Sequence, residues 1–141
     1  MKAAVVYWSG TGNTEAMASA VLEGMTSAGA DAKLYTAAEF GADLLDGLEA
    51  IAFGCPAMGS EQLEETEFEP MWDSVKDKLG GKKISLFGSY SWAEGEWMEN
   101  WKNDAAASGI ELSYEPIICY EAPDADMLSK LTEMGRSLAS A

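Results

Sequence analysis

Histidine is absent from the 141-residue sequence. That absence removes Ser-His-Asp triads, Cys-His pairs and histidine-ligated zinc or iron from the chemistry the chain can perform alone. Basic residues are scarce: 9 Lys and Arg stand against 24 Asp and Glu, a formal charge of −15. Nucleic-acid binding is driven by counterions released when cations neutralise phosphates, so an acidic surface disfavours DNA, RNA and anionic membranes. A partner with a basic surface fits instead, although acidity also serves plain solubility. Cysteine is limited to Cys55 and Cys119, with no C-x-x-C or zinc-type spacing. Two reduced core thiols are expected rather than a disulfide, as suits a cytoplasmic protein. No run approaches the ~20 apolar residues of a membrane span, and the apolar stretch Ala3 to Trp8 is too short for a signal-peptide core.

What is present is enough for one core. With 48% hydrophobic residues and no linker, repeat or low-complexity tract, residues 1–141 are expected to form a single domain burying roughly two thirds of its unfolded surface. Apolar runs alternate with helical patterns. Lys2 to Trp8, Ala32 to Thr36, Ala50 to Gly54, Lys83 to Gly88 and Leu112 to Tyr120 are expected strands. Helices are expected over Asn13 to Ala28, Pro70 to Leu79, Glu94 to Ala107 and Asp124 to Ala139. Trp97, Trp101 and Ala105 recur every four residues, which places both tryptophans in the core. Strands separated by helices call for right-handed crossovers, hence a doubly wound α/β fold: a five-stranded parallel sheet with helices on both faces. Ligands of such sheets sit outside the carboxyl ends of the strands.

Three loops at those ends carry unusual chemistry. Ser9-Gly10-Thr11-Gly12-Asn13-Thr14 lies between a strand and a helix, where backbone N–H groups, the helix dipole and three hydroxyls can cradle an anion without a cation. It lacks the lysine of G-x-x-x-x-G-K-[ST], and Glu15 replaces the last glycine of G-x-G-x-x-G, which disfavours nucleoside triphosphates and dinucleotides. A tight turn with an Asn or Thr helix cap is the plainer reading. The second loop is Pro56-Ala57-Met58-Gly59-Ser60-Glu61: a soft apolar surface, a permissive glycine and a carboxylate for a ring N–H, or an ordinary turn. The third, Gly88-Ser89-Tyr90-Ser91-Trp92-Ala93-Glu94-Gly95, sets large aromatics among small residues, and Trp92 is the first choice to stack on a flat heterocycle.

Taken together, these loops resemble the flavodoxins, in particular the short-chain clostridial-like type. The likeness runs from Tyr7-Trp8-Ser9-Gly10-Thr11-Gly12-Asn13-Thr14-Glu15-Ala16-Met17 through Pro56-Ala57-Met58-Gly59-Ser60-Glu61 and Leu86-Phe87-Gly88-Ser89-Tyr90 to Gly95-Glu96-Trp97-Met98. It implies strand order 2-1-3-4-5 and noncovalent flavin mononucleotide (FMN). Ser9 to Thr14 would surround the phosphate, Met58 and Trp92 would flank the ring, and Glu61 would lie near its pyrimidine edge. Pro56, Ala57, Gly59, Ser60, Ser89, Tyr90 and Ser91 complete the implied site. The resemblance further implies a low-potential one-electron carrier rather than an enzyme, cycling mainly between semiquinone and hydroquinone, with the Gly59-Ser60 peptide turning over to bond the neutral semiquinone. Its expected partners are ferredoxin- or flavodoxin-dependent oxidoreductases with basic docking surfaces, and a monomer is the expected state. Relatives often carry glycine where Ser91 and Ala93 stand here, and aspartate in place of Ser60. A flavin-dependent quinone or nitro reductase would need a further pocket, for which the chain is short. A receiver-like domain would need acidic residues where Tyr7, Trp8 and Ser9 stand. The run Glu61, Glu64, Glu65, Glu67 and Glu69 either lowers the potential and steers a basic partner, or is a solvated helix start.

Overall fold

The computed structural model describes residues 1–10, 12–58, 63–91 and 95–140. Strands β1 (Lys2–Tyr7), β2 (Asp31–Thr36), β3 (Ala50–Gly54), β4 (Lys83–Tyr90) and β5 (Ile117–Tyr120) pair in parallel to form one sheet in the order β2-β1-β3-β4-β5. Helices α1 (Asn13–Ser27), α2 (Phe68–Val75), α3 (Glu96–Ala107) and α4 (Ala125–Ala139) cover it. The expected doubly wound fold, with its 2-1-3-4-5 order, is present.

Both faces of the sheet are buried, which is why its central strands read as continuous apolar runs rather than alternating ones. Along β1, Ala4 and Val6 face Phe68 and Trp72 of α2 and Trp97 and Trp101 of α3. Ala3, Val5 and Tyr7 face the other way, toward Met17, Val21 and Met25 of α1 and Leu131, Met134 and Leu138 of α4. The first layer is an aromatic stack. Trp101 meets Phe68 and Trp72 edge to face at centroid distances of 5.4 and 5.6 Å, and Trp72 meets Phe53 at 5.2 Å. Both tryptophans expected in the core from their spacing are there, at 1% and 2% exposure for Trp97 and Trp101. Cys55 and Cys119 are buried free thiols, as expected.

Several boundaries differ by a residue or two from the sequence reading, and those of β5, β4 and α2 differ for local reasons. Strand β5 begins at Ile117 rather than Leu112, which makes only an isolated bridge to Ile84. Pro116 has no N–H for the ladder, and regular pairing resumes after it. Strand β4 continues past Gly88 because Ser89 and Tyr90 pair with Cys119 and Tyr120. Helix α2 starts at Phe68, two residues before the proline, and gives way to a 3₁₀ turn at Lys76–Lys78. Among the described residues no helix is long and apolar enough to cross a membrane.

Candidate functional site

Strands β1 and β3 end at one level, with Tyr7 opposite Gly54, while β4 runs on past Phe87, the partner of Gly54, to Tyr90. The Trp8 N–H donates to the Gly54 carbonyl at 3.0 Å, so the first and second loops leave the sheet side by side. Between β1 and β3 the chain also reverses its direction of winding, with β2 on one side of β1 and β3 on the other. That is where an open parallel sheet leaves a crevice.

In the first loop, Gly12 is the N-cap of α1 with φ 93°, a left-handed conformation that glycine adopts without a Cβ penalty. Lacking a side chain, it caps nothing, and the first-turn N–H groups project from the helix end with the positive end of the dipole. The plainer expectation of an Asn or Thr cap does not describe this helix. The Ser9 hydroxyl accepts a bond from the Gly12 N–H at 2.9 Å and so closes the loop on itself. Thr14 is buried, and its hydroxyl shares a 3.1 Å bond with that of Ser89 at the end of β4. The Tyr7 hydroxyl donates to Glu15 at 3.0 Å. Burial, and then the neighbouring Glu15 carboxylate, pushes that hydroxyl above its ordinary pKa.

The second loop is tied to the third. The Cys55 N–H donates to the Phe87 carbonyl at 3.1 Å and the Ala57 N–H to the Ser89 carbonyl at 3.0 Å, while the Trp97 indole donates to the Cys55 carbonyl at 3.1 Å. Burial pushes the Cys55 thiol far above the usual range, so it is a neutral packing group rather than a nucleophile. Farther on, the chain turns into α2 around Glu64. This carboxylate is 4% exposed and accepts bonds from the N–H groups of Thr66, Glu67 and Phe68 at 2.8, 2.7 and 2.9 Å and from the Thr66 hydroxyl. Burial alone would raise its pKa, but the bonds from Thr66, Phe68 and Glu67 outweigh burial and hold it below the ordinary carboxylate range. The expected acidic run is therefore not uniformly solvated.

The three loops enclose a cleft of ≈ 410 Å³, within the roughly 300–1,000 Å³ usual for small-molecule sites. Gly10 and Asn13 line it from the first loop, Pro56, Ala57 and Met58 from the second, and Ser89, Tyr90 and Ser91 from the third. Ser9, Gly12 and Thr14 stand behind that lining through the bonds given above. Thr11, Gly59, Ser60, Glu61 and Trp92, which the sequence also nominated, lie outside the described residues, as does Ala93.

Two further lining residues escaped the sequence reading, Trp8 and Glu121. Trp8 was assigned to the strand, yet it is half-buried and its indole donates to Glu67 at 3.0 Å. Glu121 is the one described non-glycine residue with positive φ, at 54°, and its N–H donates to the Tyr90 carbonyl at 2.7 Å. Such backbone concentrates at functional sites. Its place directly after β5, at the carboxyl end of the sheet, was the available signal. Among the described lining residues there is no lysine or arginine. The cleft thus combines a helix end and hydroxyls for an anion with Trp8, Pro56, Met58 and Tyr90 for a flat apolar body. A phosphorylated aromatic cofactor fits that combination.

Comparison with known proteins agrees with this chemistry. The flavodoxin family model matches residues 5–133. The chain is 42% identical over 137 residues to a flavodoxin of Megasphaera elsdenii, covering 97% of this chain and 98% of that protein. It is 38% identical over 136 residues to a flavodoxin of Clostridium beijerinckii, covering 96% and 98%. The solution structure of the two-electron reduced Megasphaera elsdenii flavodoxin superposes with a TM-score of 0.89 at 41% identity, with 99% of each chain covered. On the strength of that full-length match and of the three-loop cleft, the chain belongs to the flavodoxin family, electron-transfer proteins that bind FMN.

Proposed function

We propose that the three-loop cleft seats FMN noncovalently and that the chain, acting as one unit over residues 1–141, is a low-potential one-electron carrier between oxidoreductases. The observation that carries this reading is a cleft that offers a helix end and hydroxyls but no described cation. When bound, FMN supplies the one-electron chemistry, and the residues set its terms. Ser9 to Thr14 hold the phosphate without neutralising it, with Ser9 shaping the loop and Thr14 and Ser89 fixing its distance from β4. Met58, Tyr90 and, from its position in sequence, Trp92 bound the ring. Pro56, Ala57, Gly59, Ser60, Glu61 and Ser91 complete the walls and the ring edge.

An unneutralised phosphate and the Glu121 carboxylate both oppose added negative charge. One carboxylate ~10 Å away contributes roughly 0.4 kcal/mol at the dielectric of water, and more in less polar surroundings. For a one-electron couple that corresponds to about 17 mV, and several such groups add within a Debye length of ~8 Å. The excess of acidic residues also suits docking to basic redox partners by steering. A monomer in the cytoplasm accords with the two unpaired buried thiols and the high charge.

The test is a titration of the chain with FMN followed by spectroelectrochemistry. Flavin fluorescence should quench to an endpoint of one flavin per chain, and reduction should proceed in two one-electron steps, the second more negative than that of free FMN in the same cell. A folded chain that leaves FMN fluorescence unchanged overturns the site; a second step no lower than that of free FMN overturns the low potential.

A further inference from the structure

The indole of Trp8 connects two parts of the molecule that the cofactor reading treats separately. Its Nε1 donates to Glu67 Oε1 at 3.0 Å, at the start of α2. The opposite edge of the same ring lies against the first loop. A Cβ at Gly10 would come within 3.1 Å of Trp8 Cη2 and 3.3 Å of Cζ3, a tight approach that the glycine relieves. Glu67 is itself fixed from behind: its N–H donates to the buried Glu64 carboxylate at 2.7 Å, and the Glu64 N–H reaches the Cys55 sulfur at 3.4 Å, just beyond the end of β3. The resulting connection runs from β3 through Glu64 and Glu67 to Trp8 and ends on Gly10.

We propose that Glu67 is a positioning residue for the cofactor cleft: its hydrogen bond locks the Trp8 indole as a wall against Gly10 and so preorganises the anion loop. The proposal rests on the flavin reading of that loop. Trp8 is half-buried while Glu67 is exposed, so the bond lies at the surface, and its carboxylate acceptor makes it charge-assisted. Fixing the wall before the ligand arrives lowers the ordering cost of binding. The carboxylate has an opposing effect as well, because its charge repels an incoming phosphate. Gln separates the two effects, since it retains an acceptor oxygen and loses the charge.

The experiment compares wild type with Glu67→Gln, Glu67→Leu, Trp8→Phe and the Trp8→Phe/Glu67→Leu double variant. Two quantities are measured: the FMN dissociation constant by flavin fluorescence, and solvent exchange of the Trp8 indole proton in the FMN-free protein by NMR. Glu67→Leu should weaken FMN binding about fivefold and speed indole exchange. Glu67→Gln should bind FMN at least as tightly as wild type with the indole still protected. Adding Glu67→Leu to Trp8→Phe should leave affinity equal or raise it, because the bond is already absent and only the repelling charge is removed. An unchanged dissociation constant in Glu67→Leu, or an equal loss in both backgrounds, overturns the positioning role while the flavin reading stands. A wild type that takes up no FMN removes both.

Discussion

Glu64 is one carboxylate in a run of five in the sequence, and it alone among the described members is buried. Besides the Thr66 hydroxyl, it accepts bonds from the N–H groups of Thr66, Glu67 and Phe68 at the start of α2, which no residue at the cap position itself serves. Because its folded pKa lies below the ordinary value, it stabilises the fold above the unfolded carboxylate pKa of about 4.3. That stabilisation is lost as pH falls through the lower, folded value. Glu64→Gln presents an amide where Thr66 requires an acceptor, and should cost about 1–3 kcal/mol at pH 7 in urea denaturation. The gap between wild type and variant should narrow as pH drops below about 4; a gap independent of pH would mean that the charge is not what the turn uses. The sequence could show that the run exists but not how it divides. Inward and outward glutamates carry the same polarity signal, and only the orphaned N–H groups of a nearby helix start decide which one folds in. Glu121 escaped notice for a related reason: nothing in its residue type signals a positive φ.

At the scale of elements, α1 and α4 lie on the same face of the sheet and approach so closely that their glycines determine the contact. A Cβ on Gly24 would collide with the Thr132 carbonyl of α4, and one on Gly135 with the Val21 carbonyl of α1. Alanine is the better helix former by about 1 kcal/mol, so on propensity alone either replacement should stabilise. Collision with backbone reverses the sign, since a carbonyl cannot swing aside as a side chain can. Gly24→Ala and Gly135→Ala should each lower stability by about 1–3 kcal/mol in thermal or urea denaturation, whereas Gly80→Ala, with open space around its Cβ direction, serves as the tolerant control. Stabilisation by either helix variant would show that the helices can separate at little cost. Periodicity was sufficient to place Gly24 on the apolar face of α1, and the five strands and four α-helices described were likewise legible from their patterns, though the short 3₁₀ turns at Ala37–Glu39 and Ala42–Leu44 were not. Boundaries were less so. The limits of β5 depend on Pro116 interrupting a ladder, and the start of α2 depends on Glu64, so both required partners distant from the local pattern.

Over the whole molecule, salt acts in two opposing ways on stability, and the magnitudes decide between them. The ion pairs Lys76–Asp73, Lys76–Asp104, Lys102–Glu99, Lys102–Glu115 and Arg136–Glu133 all involve side chains open to solvent. Pairs of this kind contribute about 0–1 kcal/mol each, and screening weakens them. Against them stands a net charge of −15, whose self-repulsion grows roughly with the square of the excess and is relieved by the same screening. Raising ionic strength from about 0.01 to 0.15 M shortens the Debye length from ~30 to ~8 Å, which removes repulsion across the molecule before it removes these contacts at 2.8 to 4.0 Å. The FMN-free protein should therefore melt a few degrees higher in 0.15 M salt, equally in sodium chloride and tetramethylammonium chloride. Calorimetry that showed a flat or falling melting temperature would mean that the ion pairs, not the excess of carboxylates, govern the balance. Stabilisation by sodium alone would indicate cation binding rather than screening.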